Sequence, residues 1–146
     1  MDCIRQAKIE DIERIAEILV FNYRLNFFPI FRDDSFYFDQ MCVSKQIACY
    51  AGEVDSIWVY DDGVVKGFVQ IVGREVRKLF VEPVLQGNSI GAELLKYAIS
   101  HQYANFLWAL EKNTRAIAFY KRHGFKITDE KKYEEGTTEY LVRMER

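Results

Sequence analysis

The chain has 146 residues, 49% hydrophobic and 29% charged, which is the size and balance of one globular domain over 1–146 with a full core, not of a disordered segment or a pair of domains. Its net charge of −2 and pI near 5.8 supply no basic field for a nucleic-acid partner. No apolar run has the length of a membrane span and the first residues lack the apolar core of a signal peptide, so a cytoplasmic protein without a membrane partner is expected.

Residues Ile4 to Gln6 read as a short strand. Glu10 and Asp11 then open a helix with acids in its first turn, where the dipole favours them, and Ile12, Ile15, Ala16 and Leu19 mark its core face. From Phe21 to Met41 the regular pattern fails and aromatics crowd in, with Pro29 marking a break between helical pieces. Two readings stand for this segment. One is a helical hairpin whose aromatics are core wedges; the other is the wall of an acceptor pocket, with Asn22, Tyr23, Arg24 and Asp33 or Asp34 as polar contacts.

Ser56 to Tyr60 and Val64 to Val72 form a hairpin around Asp61-Asp62-Gly63, and Gly67 signals a bulge or close packing in its second strand. Val76 to Val81 is the next strand, with Val76, Lys78 and Phe80 on one side and Arg77, Leu79 and Val81 on the other. Pro83 ends it. A loop with Gly87 and Gly91 leads into a helix carrying Ile90, Leu94, Leu95, Ala98 and Ile99 at helical spacing. Phe106 to Leu110 is a short buried strand, and Arg115 to His123 is a helix ended by Gly124. Phe125 to Thr128 and Thr138 to Arg143 close the sheet as a pair, with a solvated charged loop, Asp129 to Glu135, between them.

Cys3, Cys42 and Cys49 are odd in number and irregular in spacing, which argues against a disulfide framework and for small buried hydrophobes. With His101 and His123 dispersed at helix ends, no metal-ligand spacing exists and no metal is expected.

The chemistry concentrates after Val81. A strand, a glycine-bearing loop and a helix start direct unpaired N–H groups and the positive end of the dipole at one point, which makes a site for a diphosphate. The same glycines can also simply close a tight turn. A P-loop is excluded because Ala92 and Glu93 follow Gly91, and the G-x-G-x-x-G dinucleotide fingerprint is absent.

Leu79-Phe80-Val81-Glu82-Pro83 followed by Gln86-Gly87-Asn88-Ser89-Ile90-Gly91-Ala92 resembles motif A of the GNAT superfamily of acyl-CoA-dependent N-acetyltransferases, Q/R-x-x-G-x-G/A after L-x-V-x-P. Ser89 departs from it where the first patterned glycine belongs; its hydroxyl suits an N-cap, but serine admits positive φ less readily. Asn113-Thr114-Arg115-Ala116-Ile117-Ala118-Phe119-Tyr120-Lys121-Arg122-His123-Gly124-Phe125 is similar to motif B of the same superfamily. The aromatic segment and the F-Y-x-x-x-G-F ending resemble the compact bacterial YiaC-like branch.

The resemblance implies an α+β fold, a mixed, mostly antiparallel sheet flanked by helices around a central β-α-β unit that binds acyl-CoA. It implies acetyl-CoA as cosubstrate and an amine acceptor, a protein lysine or a small molecule, in a monomer or homodimer. Main-chain groups from Gln86 to Ala92, namely Gln86, Gly87, Asn88, Ser89, Ile90, Gly91 and Ala92, would take the diphosphate. Leu79, Phe80 and Val81 would pair with the pantetheine arm, with a contact from Asn113. Tyr120 holds the family position of the proton donor; read without the family it is a core aromatic whose hydroxyl reaches a backbone group. Glu75 and Glu111 are candidates for the base, and Arg115, Lys121 and Arg122 for the 3′-phosphate. A non-catalytic acyl-CoA-binding module, supported by Ser89, is the alternative; an acceptor amine carried on RNA is disfavoured by the acidic pI.

Overall fold

The computed structural model describes residues 3–146. Strand β1 (Ile4–Gln6) passes through a 3-10 turn (Ile9–Asp11) into helix α1 (Ile12–Asn26). Asp11 is buried at that turn and is satisfied there. Arg5 grips its carboxylate with two bonds of 2.8 and 3.0 Å, and the Lys8 N–H donates at 2.7 Å. The regular pattern does not fail at Phe21: α1 continues to Asn26. Asn22 breaks the apolar periodicity, yet it is turned inward and hydrogen-bonded, which is why the sequence hides the helix there. Pro29 lies in the first turn of the four-residue helix α2 (Phe28–Phe31), where its missing N–H costs nothing. A π-helical turn (Phe36–Gln40), helix α3 (Val43–Tyr50) and a 3-10 segment (Ala51–Ser56) complete this layer.

Strands β2 (Ile57–Asp61) and β3 (Val65–Val72) form the expected hairpin, with Gly63 at φ 121° and its N–H on Asp61 Oδ1. Gly67 is required by close approach, since a Cβ there would stand 3.0 Å from the Phe80 carbonyl and 3.2 Å from Leu94 Cδ1. Strand β4 (Glu75–Val81) pairs with β3, but its register jumps from Gln70↔Lys78 to Ile71↔Val76 and leaves Arg77 as a bulge. The bulge corrects the expected alternation. Val76 joins Leu79 and Val81 on one face, while Phe80 packs on the other.

Helix α4 (Ile90–Gln102) links β4 to β5 (Phe106–Leu110), and helix α5 (Thr114–Arg122) links β5 to β6 (Lys126–Tyr133) and β7 (Tyr140–Glu145). The expected loop from Asp129 is strand as far as Tyr133. As an edge strand with almost every residue exposed, β6 has no alternation to read. The seven strands run β1-β2-β3-β4-β5-β7-β6, antiparallel except for β4 beside β5. One core, with Leu94, Leu95, Leu107 and Met144, lies under α4 and α5; the other, with Ile15, Leu19, Ile57 and Phe68, lies under α1 and α3. The cysteines are free and none is buried, against expectation, and no helix among the described residues is long and apolar enough to cross a membrane.

Candidate active site

Strands β4 and β5 share one paired position, Glu75 with Phe106, and then separate. Backbone alternation decides what the separation exposes. The Glu82 N–H donates to the Lys66 carbonyl at 2.9 Å, so counting back along the ladder Phe80 and Lys78 bond to β3, while the N–H and C=O of Leu79 and Val81 point into the gap. Phe80, expected to offer backbone with its neighbours, offers its ring instead. The Val81 carbonyl is held by Asn22 Nδ2 at 2.9 Å, and the Val81 N–H faces the gap with no strand opposite. The gap opens into a cleft of about 1450 Å³ whose far wall includes Trp108, Ala109 and Leu110.

Beyond β4, the Gln86 N–H is spent on the Pro83 carbonyl at 3.3 Å, which removes it from the expected set of anion donors. Its side chain instead donates to Asn22 Oδ1 at 3.0 Å. From Gly87 to Ala92 no backbone N–H meets an acceptor at hydrogen-bonding geometry among the described residues, and the helical pattern begins with Glu93 N–H on the Ser89 carbonyl. Gly87 and Ser89 both have positive φ, 90° and 68°. Ser89 is the N-cap residue, but its hydroxyl makes no cap bond, contrary to the expectation from its chemistry. Gly87, Ser89, Ile90, Gly91 and Ala92 line the cleft; Asn88 does not. Arg115 and Arg122 line it too, whereas Lys121 borders a separate hollow beside Ile127. Unpaired N–H groups, a helix start and two guanidinium groups fit a diphosphate-bearing ligand.

Asn113 caps α5, its Oδ1 accepting the Ala116 N–H at 3.3 Å, and it lines the cleft. The Tyr120 ring packs edge-on to Phe119 and Phe125. Its hydroxyl makes no hydrogen bond among the described residues, so the expected backbone contact of a core tyrosine is absent; burial pushes its pKa up to about 12. Both base candidates lie elsewhere. Glu75 pairs with Arg77 at 3.6 Å and Glu111 with Lys131 at 2.7 Å, and neither lines the cleft.

The carboxylates that do line it are Asp33, Glu134, Glu135 and Glu139; Glu134 and Glu135 belong to the loop that the sequence reads as merely solvated, and Glu139, read as strand, lies with them on the β6–β7 connection. Their placement depends on the sheet closing, so no local signal reports it. Burial first, then the neighbouring Tyr23, Glu134 and Asp33, pushes Tyr37 up to about 12. The aromatic segment serves both expected roles: Tyr23 and Phe27 pack edge-on with Phe80, and Tyr23, Phe27, Phe31 and Tyr37 wall the cleft. Asn22, Tyr23 and Asp33 face it as expected. Arg24 does not; it donates to the Tyr37 carbonyl at 3.0 Å, and Asp34 is exposed. Lys78, read only as a strand residue, lines the cleft and donates to Tyr23 OH at 2.8 Å. His123, expected in solvent, lies at the cleft with Nδ1 2.9 Å from the Phe119 carbonyl oxygen.

The Acetyltransferase (GNAT) domain family matches residues 53–127, which carry β2 to β5, the loop and α5. The peptidyl-lysine N-acetyltransferase YjaB of Salmonella typhimurium is 34% identical over 74 residues, 49% of this chain and 51% of that protein. YiaC of Escherichia coli, also a peptidyl-lysine N-acetyltransferase, is 38% identical over 74 residues, again 49% of this chain and 51% of that protein. The alignments thus span about half the length of these relatives. Among solved structures, the PaiA N-acetyltransferase of Thermoplasma acidophilum in complex with coenzyme A superposes with a TM-score of 0.69 at 20% identity, covering 98% of each chain, a likeness of fold. The family match covers more than half of the chain, and the chain belongs to the GNAT acetyltransferase family.

Proposed function

We propose that the chain, acting as one domain, is an N-acetyltransferase that moves the acetyl group of acetyl-CoA to a primary amine by direct attack with both substrates bound. The observation that carries this is the pairing, in one cleft, of an unengaged Tyr120 hydroxyl with the strand gap into which the Val81 N–H points. Protein lysine side chains are the first acceptor class to test, because the two similar proteins are peptidyl-lysine N-acetyltransferases.

Acetyl-CoA, when bound, supplies an activated thioester. The N–H groups of Gly87, Ser89, Ile90, Gly91 and Ala92 hold its diphosphate, and Arg115 and Arg122 are the cations available to its 3′-phosphate. The unpaired backbone of Leu79 and Val81 accepts the peptide-like arm as a strand would, with the Asn113 amide as a side contact. The Val81 N–H stabilises negative charge developing on the carbonyl oxygen. Tyr120, held protonated by burial, gives its proton to the departing sulfur. An alkylammonium with a pKa near ~10.4 must lose a proton before attack, and Glu134, a carboxylate of the cleft lining, is our candidate to take it through water.

One observation favours a second reading. Ser89 occupies a left-handed position that its family fills with glycine, which is compatible with a module that binds acyl-CoA without turning it over. Thiol release from acetyl-CoA with lysine peptides, N-terminal peptides and polyamines decides between them. Turnover that falls about 100-fold or more in Tyr120→Phe, with acetyl-CoA affinity retained, is the expected result. Binding without thiol release on any amine would leave the second reading, and an unchanged kcat in the variant would remove Tyr120 from the chemistry.

A further inference from the structure

The acceptor side of the cleft contains a cation with no carboxylate at ion-pair distance among the described residues. Lys78 lies on β4 with its side chain on the same face as Phe80, towards α1, and its ammonium donates to Tyr23 OH at 2.8 Å and lies 5.4 Å from the centre of that ring. Among the described residues no carboxylate comes within ion-pair distance of it. Burial first, then the charge of Glu134 nearby, holds the Tyr23 phenol well above its ordinary pKa, so this partner remains a neutral dipole. A half-buried ammonium with neutral hydrogen-bond partners retains unused donors and an uncompensated charge.

Its position gives that charge a use. Lys78 is three residues before Val81, about 10 Å along the strand at ~3.3 Å per residue. Val81 is where the proposed reaction places the acyl carbonyl, so the ammonium stands a short chain's length from the attacking amine. The wall between them is apolar and aromatic, with Phe80, Tyr23 and Phe27 in mutual edge contact. A ligand that satisfies all three has an amine at one end, an apolar stretch, and an anion at the other.

We infer that Lys78 is a specificity-determining residue that binds a carboxylate of the acceptor, held several bonds away from the amine to be acetylated. The inference rests on the acetyltransferase reading for which end carries the amine. The carboxylate has two sources, the terminus of a free ω-amino acid or an aspartate or glutamate side chain beside a target lysine in a peptide. Glu134, close enough to Tyr23 to raise its pKa, and Glu135 and Asp33 on the same cleft lining repel a second acid, so one carboxylate at Lys78 is favoured over a polyanionic acceptor.

The test compares ligands that differ only in that charge. The full chain, loaded with coenzyme A, is titrated with 6-aminohexanoate and 6-aminohexanamide, and with lysine peptides carrying either aspartate or asparagine next to the lysine; thiol release from acetyl-CoA is followed on the same pairs. The carboxylate member of at least one pair is expected to bind about tenfold or more tightly. Lys78→Met removes that preference and Lys78→Arg keeps it, with acetyl-CoA affinity reporting that each variant is folded. The pair that shows the preference identifies the source. Equal binding of both members of both pairs to the wild-type protein overturns the inference, as does a preference that survives in folded Lys78→Met. If Lys78→Met does not fold, loss of the wild-type preference at high salt supports the ionic contact and its persistence overturns it. A carboxylate preference in binding with no thiol release on any amine supports the anion subsite while refuting the acetyltransferase reading, so the two fail separately.

Discussion

Replacing Asn22 by alanine tests whether the gap at Val81 is positioned or merely left open. Asn22 is 1% exposed, and its amide joins three elements: Nδ2 donates to the carbonyls of Ile18 at 2.8 Å and Val81 at 2.9 Å, and Oδ1 accepts from Gln86 Nε2 at 3.0 Å. The Ile18 bond is the least costly to lose, since that carbonyl also serves the helix. The Val81 carbonyl would retain only the Gln86 amide at 3.5 Å, and Gln86 would lose its anchor. An acceptor left short inside the protein costs about 1–3 kcal/mol and the second bond about 1 kcal/mol, so about 2–4 kcal/mol is expected. At about 3 °C per kcal/mol for a chain of this length, Tm should fall by roughly 6–12 °C. Differential scanning calorimetry measures this, and titration with acetyl-CoA should show weaker binding, because Gln86 begins the anion loop. Asn22→Asp, nearly isosteric but with no donor for the Val81 carbonyl, should be at least as damaging near neutral pH. A Tm within about 1 °C of wild type together with unchanged affinity would refute the reasoning.

Restoring glycine at Ser89 should raise Tm by a few degrees and tighten acetyl-CoA binding, because a non-glycine residue at φ 68° carries a penalty of about 1 kcal/mol; a lower Tm would show that the serine is accommodated without strain. A Cβ at Gly91 would sit 3.6 Å from Val81 Cγ2 and 3.7 Å from Phe119 Cζ, so Gly91→Ala should fold with modest change, while the branched Gly91→Val should lose acetyl-CoA affinity by about tenfold or more in titration. Normal affinity in folded Gly91→Val would separate the loop from the ligand. Arg5→Met should cost about 1 kcal/mol at neutral pH, a figure kept low because Arg5 is about one-third exposed. The Arg5 guanidinium holds the Asp11 carboxyl below its ordinary range, so this stability is present above the unfolded carboxylate pKa near 3.8 and is lost as pH falls through the depressed folded value; denaturant curves of wild type and variant should converge there and nowhere above it. On the alkaline side, the unfolded chain ionises Tyr120 near pH 10 and the folded chain only near 12, so wild-type stability should decline between those values, less steeply in Tyr120→Phe.

The helices and strands near the loop were legible because their causes are local. Asp61-Asp62-Gly63 needs only a turn, Ile90, Leu94, Leu95 and Ala98 need only one buried face, and the order of elements follows from them. Where the reading broke, a long-range contact had replaced the local rule. The bulge at Arg77 put Val76 on the opposite face, and the inward Asn22 looked like the end of a helix because its partners, Val81 and Gln86, lie far along the chain. Leu79, Val81, Asn113 and Tyr120 stand together at the cleft as their motifs placed them. Glu75 and Glu111 failed as candidates since strand ends do not report which way a carboxylate leans. Lys78 did leave a trace, a charged residue grouped with Phe80 on an inward face, but only folding shows that Tyr23 is its partner.

The single residue pair between β4 and β5 also divides the molecule mechanically. Strands β1 to β4 are tied to one another by ladders of several pairs each, and β5 to β7 by theirs, while the seam between them has Glu75 with Phe106, the Asn105 N–H on the Arg74 carbonyl and side chains under α4. Such a seam is where a sheet opens as two cooperative blocks before it unfolds as one. A strand-like ligand seated in the gap would act as mortar, and amide exchange in β5 and β7 should slow on its binding more than exchange in β2 and β3, whose protection the sheet already provides.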